Sequence, residues 1–138
     1  GIRVIDDYGH HPTEVATVLR SAAQIGDGDV WVVFQPHTTH RTAVLLDQFA
    51  RAFGDARHTL ILPIYHPSGR DEAASPITSS DLVAAIARRG HTDVREVDSF
   101  EAAEETLARE AKPGDLVITM GAGDVTLLSR RLVERLGA

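Results

Sequence analysis

Gly1-Ile2-Arg3-Val4-Ile5-Asp6-Asp7-Tyr8-Gly9-His10-His11-Pro12-Thr13-Glu14 holds an apolar run, a polar turn and a helix start in close succession. Ile2–Ile5 is β-branched apart from Arg3 and predicts a strand. Pro12, with its fixed φ, suits a first helical position, and Thr13–Gln24 carries Val15, Val18, Leu19 and Ala22 on one face. Strand, turn and helix in this order form the unit from which parallel α/β sheets are built. The turn itself carries two carboxylates, a phenol and two imidazoles, far more chemistry than a change of chain direction requires.

The same unit recurs along the chain. Further strands are predicted at Val30–Phe34, Leu60–Ile64, Asp93–Val97 and Asp115–Thr119, and further helices at Thr42–Phe53, Ser79–Arg89, Ser99–Ala111 and Val125–Leu136. Thr42–Phe53 shows Leu45, Leu46, Phe49 and Phe53 at helical spacing, and Ser79, Ser80 and Ser99 are candidate N-caps. The longest irregular segment, His66–Thr78, is rich in Pro, Ser and Gly and predicts a surface loop. The 138 residues suffice for one α/β domain with a real core, and no repeat or domain boundary interrupts them. Gly1 stands directly before a strand, with neither leader nor Met, as expected of a piece of a longer chain.

Four polar clusters follow four predicted strands: Asp6 to His11, Gln35 to Arg41, Tyr65 to Arg70, and Gly121 to Asp124. Parallel strands point the same way, so these clusters should gather along one edge of the sheet. Arg41 near a helix start opposes the helix dipole, and an incoming carboxylate there would reconcile the two; a plain surface arginine is the simpler reading. Gly121 and Gly123 lack the third glycine of a dinucleotide fingerprint, since Thr126 occupies its place. Their small size admits a ligand or another backbone, and Asp124 is expected to cap the following helix. Of the seven histidines, five fall on this edge. Adjacent imidazoles point apart and no tight ligand spacing occurs, so no metal site is expected.

Composition removes whole classes. A net charge of −6, with Lys112 as the single lysine and thirteen scattered arginines, argues against a nucleic-acid partner. The chain has no cysteine, which excludes disulfides and thiolate chemistry and fits a cytoplasmic location. No apolar run is long enough to cross a membrane. Neither a GxSxG elbow nor a GxxxxGK[ST] phosphate loop is present, so the edge looks like half of an active site.

Asp6-Asp7-Tyr8-Gly9-His10-His11-Pro12-Thr13-Glu14, Val32-Val33-Phe34-Gln35-Pro36-His37, Arg41-Thr42, Asp47-Gln48-Phe49-Ala50 and Gly114 to Asp124 occur in a familiar order over essentially the whole chain. Together they resemble the C-terminal domain of the Mur ligase family, in its UDP-N-acetylmuramate:L-alanine ligase branch. The resemblance implies an α/β, Rossmann-like three-layer domain with a mostly parallel sheet of about six strands and helices on both faces. It implies that residues 1–138 are one domain of a three-domain cytoplasmic enzyme, with N-terminal and central domains as partners. That enzyme would use ATP and Mg2+ to join L-alanine to UDP-N-acetylmuramate through an acyl phosphate, in peptidoglycan synthesis.

Carried over by motif, Asp7 resembles the family's nucleotide-contacting acid. Tyr8, His10 and Arg41 resemble the groups around the alanine and the reacting carboxylate, while His37, Gly121, Gly123 and Asp124 line the same cleft. No residue of this chain alone is expected to be catalytic, and the isolated domain is expected to be inactive. One departure concerns Thr38, which stands where the family often has an arginine. Arg41 would then act alone, or with a protonated His40 in a pH-sensitive way. The rival readings are the related ligase that recycles murein peptide, whose turn usually has Phe-Ala in place of Tyr8-Gly9, and a stand-alone binding, interaction or regulatory module.

Overall fold

The computed structural model describes residues 1–67 and 77–137. Among them the strands are β1 (Arg3–Asp7), β2 (Val30–Phe34), β3 (His58–Ile61), β4 (Val94–Glu96) and β5 (Leu116–Met120). The helices are α1 (Pro12–Ala22), α2 (Thr39–Val44), α3 (Leu46–Ala50), α4 (Ser79–Arg88), α5 (Phe100–Glu110) and α6 (Val125–Leu136). The sheet has five strands in the order β1-β5-β2-β3-β4, and every pairing is parallel. The expected count of about six is thus corrected to five among the described residues.

Strand β2 explains the layers. Val30, Val32 and Phe34 point into one core with α1, α3, the turn after α3, and α4, through Val15, Leu19, Phe49, Phe53, Leu82 and Ile86. Trp31 and Val33 point into the other, with Ala103, Leu107, Val125, Leu128 and Leu132 of α5 and α6. A strand buried on both faces carries a continuous apolar run, as VWVVF does. Phe34 meets Phe49 and Phe53 at ring separations of 5.3 and 5.4 Å, which anchors the first layer.

Several boundaries differ from those predicted, each for a physical reason. Strand β1 reaches Asp7, because Asp6 and Asp7 pair with Thr119 and Met120 of β5. Strand β3 begins at His58, opposite Trp31, and ends before Pro63, which has no N–H for a ladder. The predicted helix Thr42–Phe53 is two short helices that start at Thr39 and break at Leu45, and Arg41 lies in the first turn of α2, near a helix start as expected. Thr78, not Ser79 or Ser80, caps α4; Ser79 instead donates to the Leu62 carbonyl at 2.6 Å. Ser99 caps α5 as predicted, with its Oγ accepting from the Ala102 N–H at 3.0 Å. The predicted loop His66–Thr78 lies largely outside the described residues. Among the described residues no helix is long and apolar enough to cross a membrane.

Candidate functional site

The topology places a crevice at the carboxyl end of β5. Strands β1 and β2 flank β5 and lead into helices on one face, whereas β5 leads into α6 on the other. Neighbouring strands whose connections diverge to opposite faces leave a gap between them, the usual place for a ligand in such sheets. The ends of β1, β2 and β3 and the turn after β5 meet there. Arg70, the last residue of the third predicted cluster, lies outside the described residues.

The first wall follows β1. Asp7 is half-buried and its Oδ1 accepts from the Gly9 N–H at 2.7 Å, which closes the turn on itself. His11 is the N-cap of α1, its Nδ1 accepting from the Thr13 N–H at 3.2 Å, and Pro12 takes the first helical position. Glu14 accepts from the His10 and His11 N–H groups at 3.2 and 3.0 Å, completing a capping box. Those N–H groups, first that of His11 and then that of His10, hold the Glu14 carboxyl below its ordinary value. His11, Pro12 and Glu14 therefore build the turn; Tyr8 projects from it, while the His10 Nδ1 stays 3.3 Å from the Tyr8 carbonyl. Tyr8 is 73% exposed, the largest exposure among the large hydrophobic side chains.

The second wall follows β2 and β3. His37 bridges to Tyr65 in parallel fashion, with the Tyr65 N–H donating to the Pro36 carbonyl at 2.8 Å and the Thr38 N–H to the Tyr65 carbonyl at 2.9 Å. Rings then run in a row from one wall to the other: Tyr8 to His10 at 6.0 Å, His10 to His37 at 6.1 Å, and His37 to Tyr65 at 5.7 Å. His66 follows Tyr65 in the chain, its Nε2 lying 3.4 Å from Thr39 Oγ1. Thr38 has φ +60, unusual for a β-branched residue, and its Oγ1 accepts from the Arg41 N–H at 3.3 Å. The Arg41 backbone donor is thus already occupied. Its side chain is exposed, with no partner among the described residues.

The third wall is the turn after β5. Its glycines admit this chain's own atoms: a Cβ on Gly121, at φ +150, would lie 3.0 Å from the Gln35 carbonyl oxygen. A Cβ on Gly123 would lie 2.5 Å from Gln35 Oε1 and 2.6 Å from the Tyr65 ring. Asp124 occupies the N-cap position of α6 but makes no capping bond with its side chain. The expected cap is corrected: Asp124 Oδ1 accepts from Gln35 Nε2 at 2.7 Å, which ties the turn to the end of β2.

The site thus brings Asp7, Tyr8, His10, His37, Gly121, Gly123 and Asp124 to one edge, with Arg41 on the helix that leaves it. The sequence reading had placed Gln35, Tyr65 and His66 in the clusters but given them no role. Their one signal was polar and aromatic content directly after a strand. The opposite edge holds a different feature, a cleft of about 750 Å3 lined in part by Arg51, Arg57, Arg89 and His91. Asp47 binds both Arg51 and Arg89 there.

An all-parallel sheet with helices on both faces, and with aromatic, imidazole and carboxylate groups gathered at its carboxyl edge, defines a Rossmann-like α/β domain. More particularly, the model of the family described as Mur ligase, glutamate ligase domain, matches residues 1–123, and the chain belongs to that family. It is 47% identical over 137 residues to the UDP-N-acetylmuramate--L-alanine ligase of Acidobacterium capsulatum, covering 99% of this chain and 29% of that protein. The crystal structure of UDP-N-acetylmuramate-alanine ligase MurC from Thermotoga maritima matches with a TM-score of 0.75 and 25% identity, over 99% of this chain and 27% of that one. The murein peptide ligase of Psychrobacter arcticus matches with a TM-score of 0.78 and 27% identity, over 99% of this chain and 28% of that one. The chain therefore spans just under a third of the length of the curated relatives it matches.

Proposed function

We propose that this domain is the amino-acid- and nucleotide-contacting part of an ATP-dependent ligase that joins L-alanine to UDP-N-acetylmuramate in cytoplasmic peptidoglycan synthesis. The observation that carries the reading is the row of rings Tyr8, His10 and His37 at the carboxyl edge of the sheet, close to the helix that bears Arg41. The 47% identity to a ligase of that name supports it. The reaction moves the γ-phosphoryl of ATP to the lactyl carboxylate, releasing ADP. The alanine nitrogen then attacks the acyl carbon, the bond to phosphate breaks, and the nitrogen gives up a proton.

Each residue has a part in that sequence. Arg41 pairs with the alanine carboxylate, as a guanidinium suits a planar anion. His10 and His37 supply imidazoles that can take the proton of the attacking amine, and Tyr8 meets His10 edge-on. Asp7 contacts the ribose of the nucleotide, while Gly121, Gly123 and Asp124 line the cleft. Mg2+ belongs to the proposed reaction of the whole enzyme. No three His, Asp or Glu side chains are grouped to hold a metal among the described residues, so no step is assigned to that ion here.

The test uses the full-length protein that contains this chain, with ADP release as the readout. Release should require L-alanine and UDP-N-acetylmuramate together, and residues 1–138 alone should release none. Arg41→Ala should raise the KM for alanine roughly 10- to 100-fold, the range for losing a charge-assisted hydrogen bond. Preference for a murein tripeptide over alanine would favour the recycling ligase instead.

A further inference from the structure

One of the two aspartates in the opening run has no part in the proposed reaction. Asp6 and Asp7 are successive residues of β1, so their side chains point to opposite faces of the sheet. Asp7 turns to the crevice. Asp6 turns toward α6, where its Oδ1 accepts from Thr119 Oγ1 at 2.7 Å and its Oδ2 from Thr126 Oγ1 at 2.6 Å. Both contacts have the short length of hydroxyl-to-carboxylate bonds. Asp6 makes no ion pair among the described residues, so two hydroxyls alone hold it.

The two threonines stand at the two feet of the Gly121 to Asp124 turn. Thr119 is fully buried in β5 just before it, and Thr126 is in the first turn of α6 just after it. Strand β1 lies at the sheet edge and pairs only with β5, so its carboxyl end is held from one side. Beyond the ladder, the link from Asp7 to the turn is a long bond in which the Gly121 N–H donates to the Asp7 carbonyl at 3.3 Å. A carboxylate tied to both feet of the turn sets the spacing that this weak bond leaves loose.

We infer that Asp6 is a positioning residue: with Thr119 and Thr126 it fixes Asp7, the proposed nucleotide contact, at a set distance from the Gly121 to Asp124 turn that lines the cleft. The inference rests on the ligase reading above. It differs from a purely structural tie in one respect: loss of the brace should weaken nucleotide binding even where the fold survives.

The experiment measures kcat, the KM for ATP and the thermal midpoint of the full-length ligase carrying Asp6→Ala, Thr126→Val or Thr126→Ser. Thr126 is exposed, so Thr126→Val keeps the test open if Asp6→Ala fails to fold. Thr126→Val should raise the KM for ATP roughly tenfold with kcat within about twofold, the pattern of lost uniform binding. Thr126→Ser keeps the hydroxyl and should restore the wild-type KM. A lowered thermal midpoint with an unchanged KM for ATP in folded Thr126→Val and Asp6→Ala would overturn the inference while leaving the ligase reading intact. Absence of ATP-dependent turnover in the unmutated full-length protein would instead remove the ligase reading, and this inference with it.

Discussion

Gly123 shows how a single residue can be read two ways until its neighbours are known. In the sequence it is half of an incomplete phosphate-binding pattern. In the fold its missing side chain is space used by Gln35 and Tyr65. Gln35 can retreat only by giving up its 2.7 Å bond to Asp124. Tyr65 is held through its backbone by Pro36 and Thr38. Gly123→Ala should therefore destabilise the domain by about 1–3 kcal/mol, the usual cost of overpacking. Urea unfolding of residues 1–138 would check this, and an unchanged midpoint would mean that the turn is looser than its contacts imply. Gln35, Tyr65 and His66 escaped the sequence reading for a related reason, because their significance lies in partners far away along the chain.

Helix α1 is the element on which the first wall depends. Its start is over-specified, with Pro12 at the first position, His11 as N-cap and Glu14 accepting from two N–H groups. Glu14→Ala removes that acceptor and should cost about 0.5–2 kcal/mol, the range for a lost N-terminal cap. The effect has a pH signature. The folded state holds the Glu14 carboxyl below its ordinary value of 4.5, so its contribution is present above that pH and fades as the pH falls through the folded value. The stability difference between wild type and Glu14→Ala, measured by denaturant unfolding, should shrink on acidification below pH 4.5; a constant difference would count against the capping role. Such local signals, Pro12 and Glu14 among them, made α1 legible in advance. The break at Leu45 was not, because Leu45, Leu46, Phe49 and Phe53 keep a helical spacing across it and all pack on the same core.

At the scale of the whole molecule, the edge opposite the site is held by ionisable groups. His58 stacks on Trp31 at 3.9 Å and reaches Asp29 and Asp93, while Arg95 links Asp93 to Glu110. His91 accepts from the Asp93 N–H at 3.2 Å and lies 2.9 Å from Thr59 Oγ1. Burial pushes the His91 imidazole below its ordinary value of 6.5, against the pull of Asp93 and with the help of His58. The unfolded chain then takes up a proton near pH 6.5 that the folded chain refuses, so stability should fall as the pH drops below that value. His91→Asn should flatten this dependence in thermal melts between pH 7.5 and 5.5, and an unchanged slope would assign it elsewhere. Asp93 and Glu110, both held low with Arg95 as partner, add a further loss only below their ordinary carboxylate range. What the sequence alone determined was the order of elements, the parallel sheet, the gathering of polar clusters at one edge and the family, because apolar period, turn residues and contiguous motifs are local properties. Only the tertiary structure decided that Asp6 accepts from Thr119 and Thr126 while Asp7 accepts from Gly9, that Gly123 makes room for Tyr65, and that Asp124 binds Gln35 rather than capping its helix. Those outcomes depend on residues tens of positions apart meeting in space, and no local pattern along the chain encodes such a meeting.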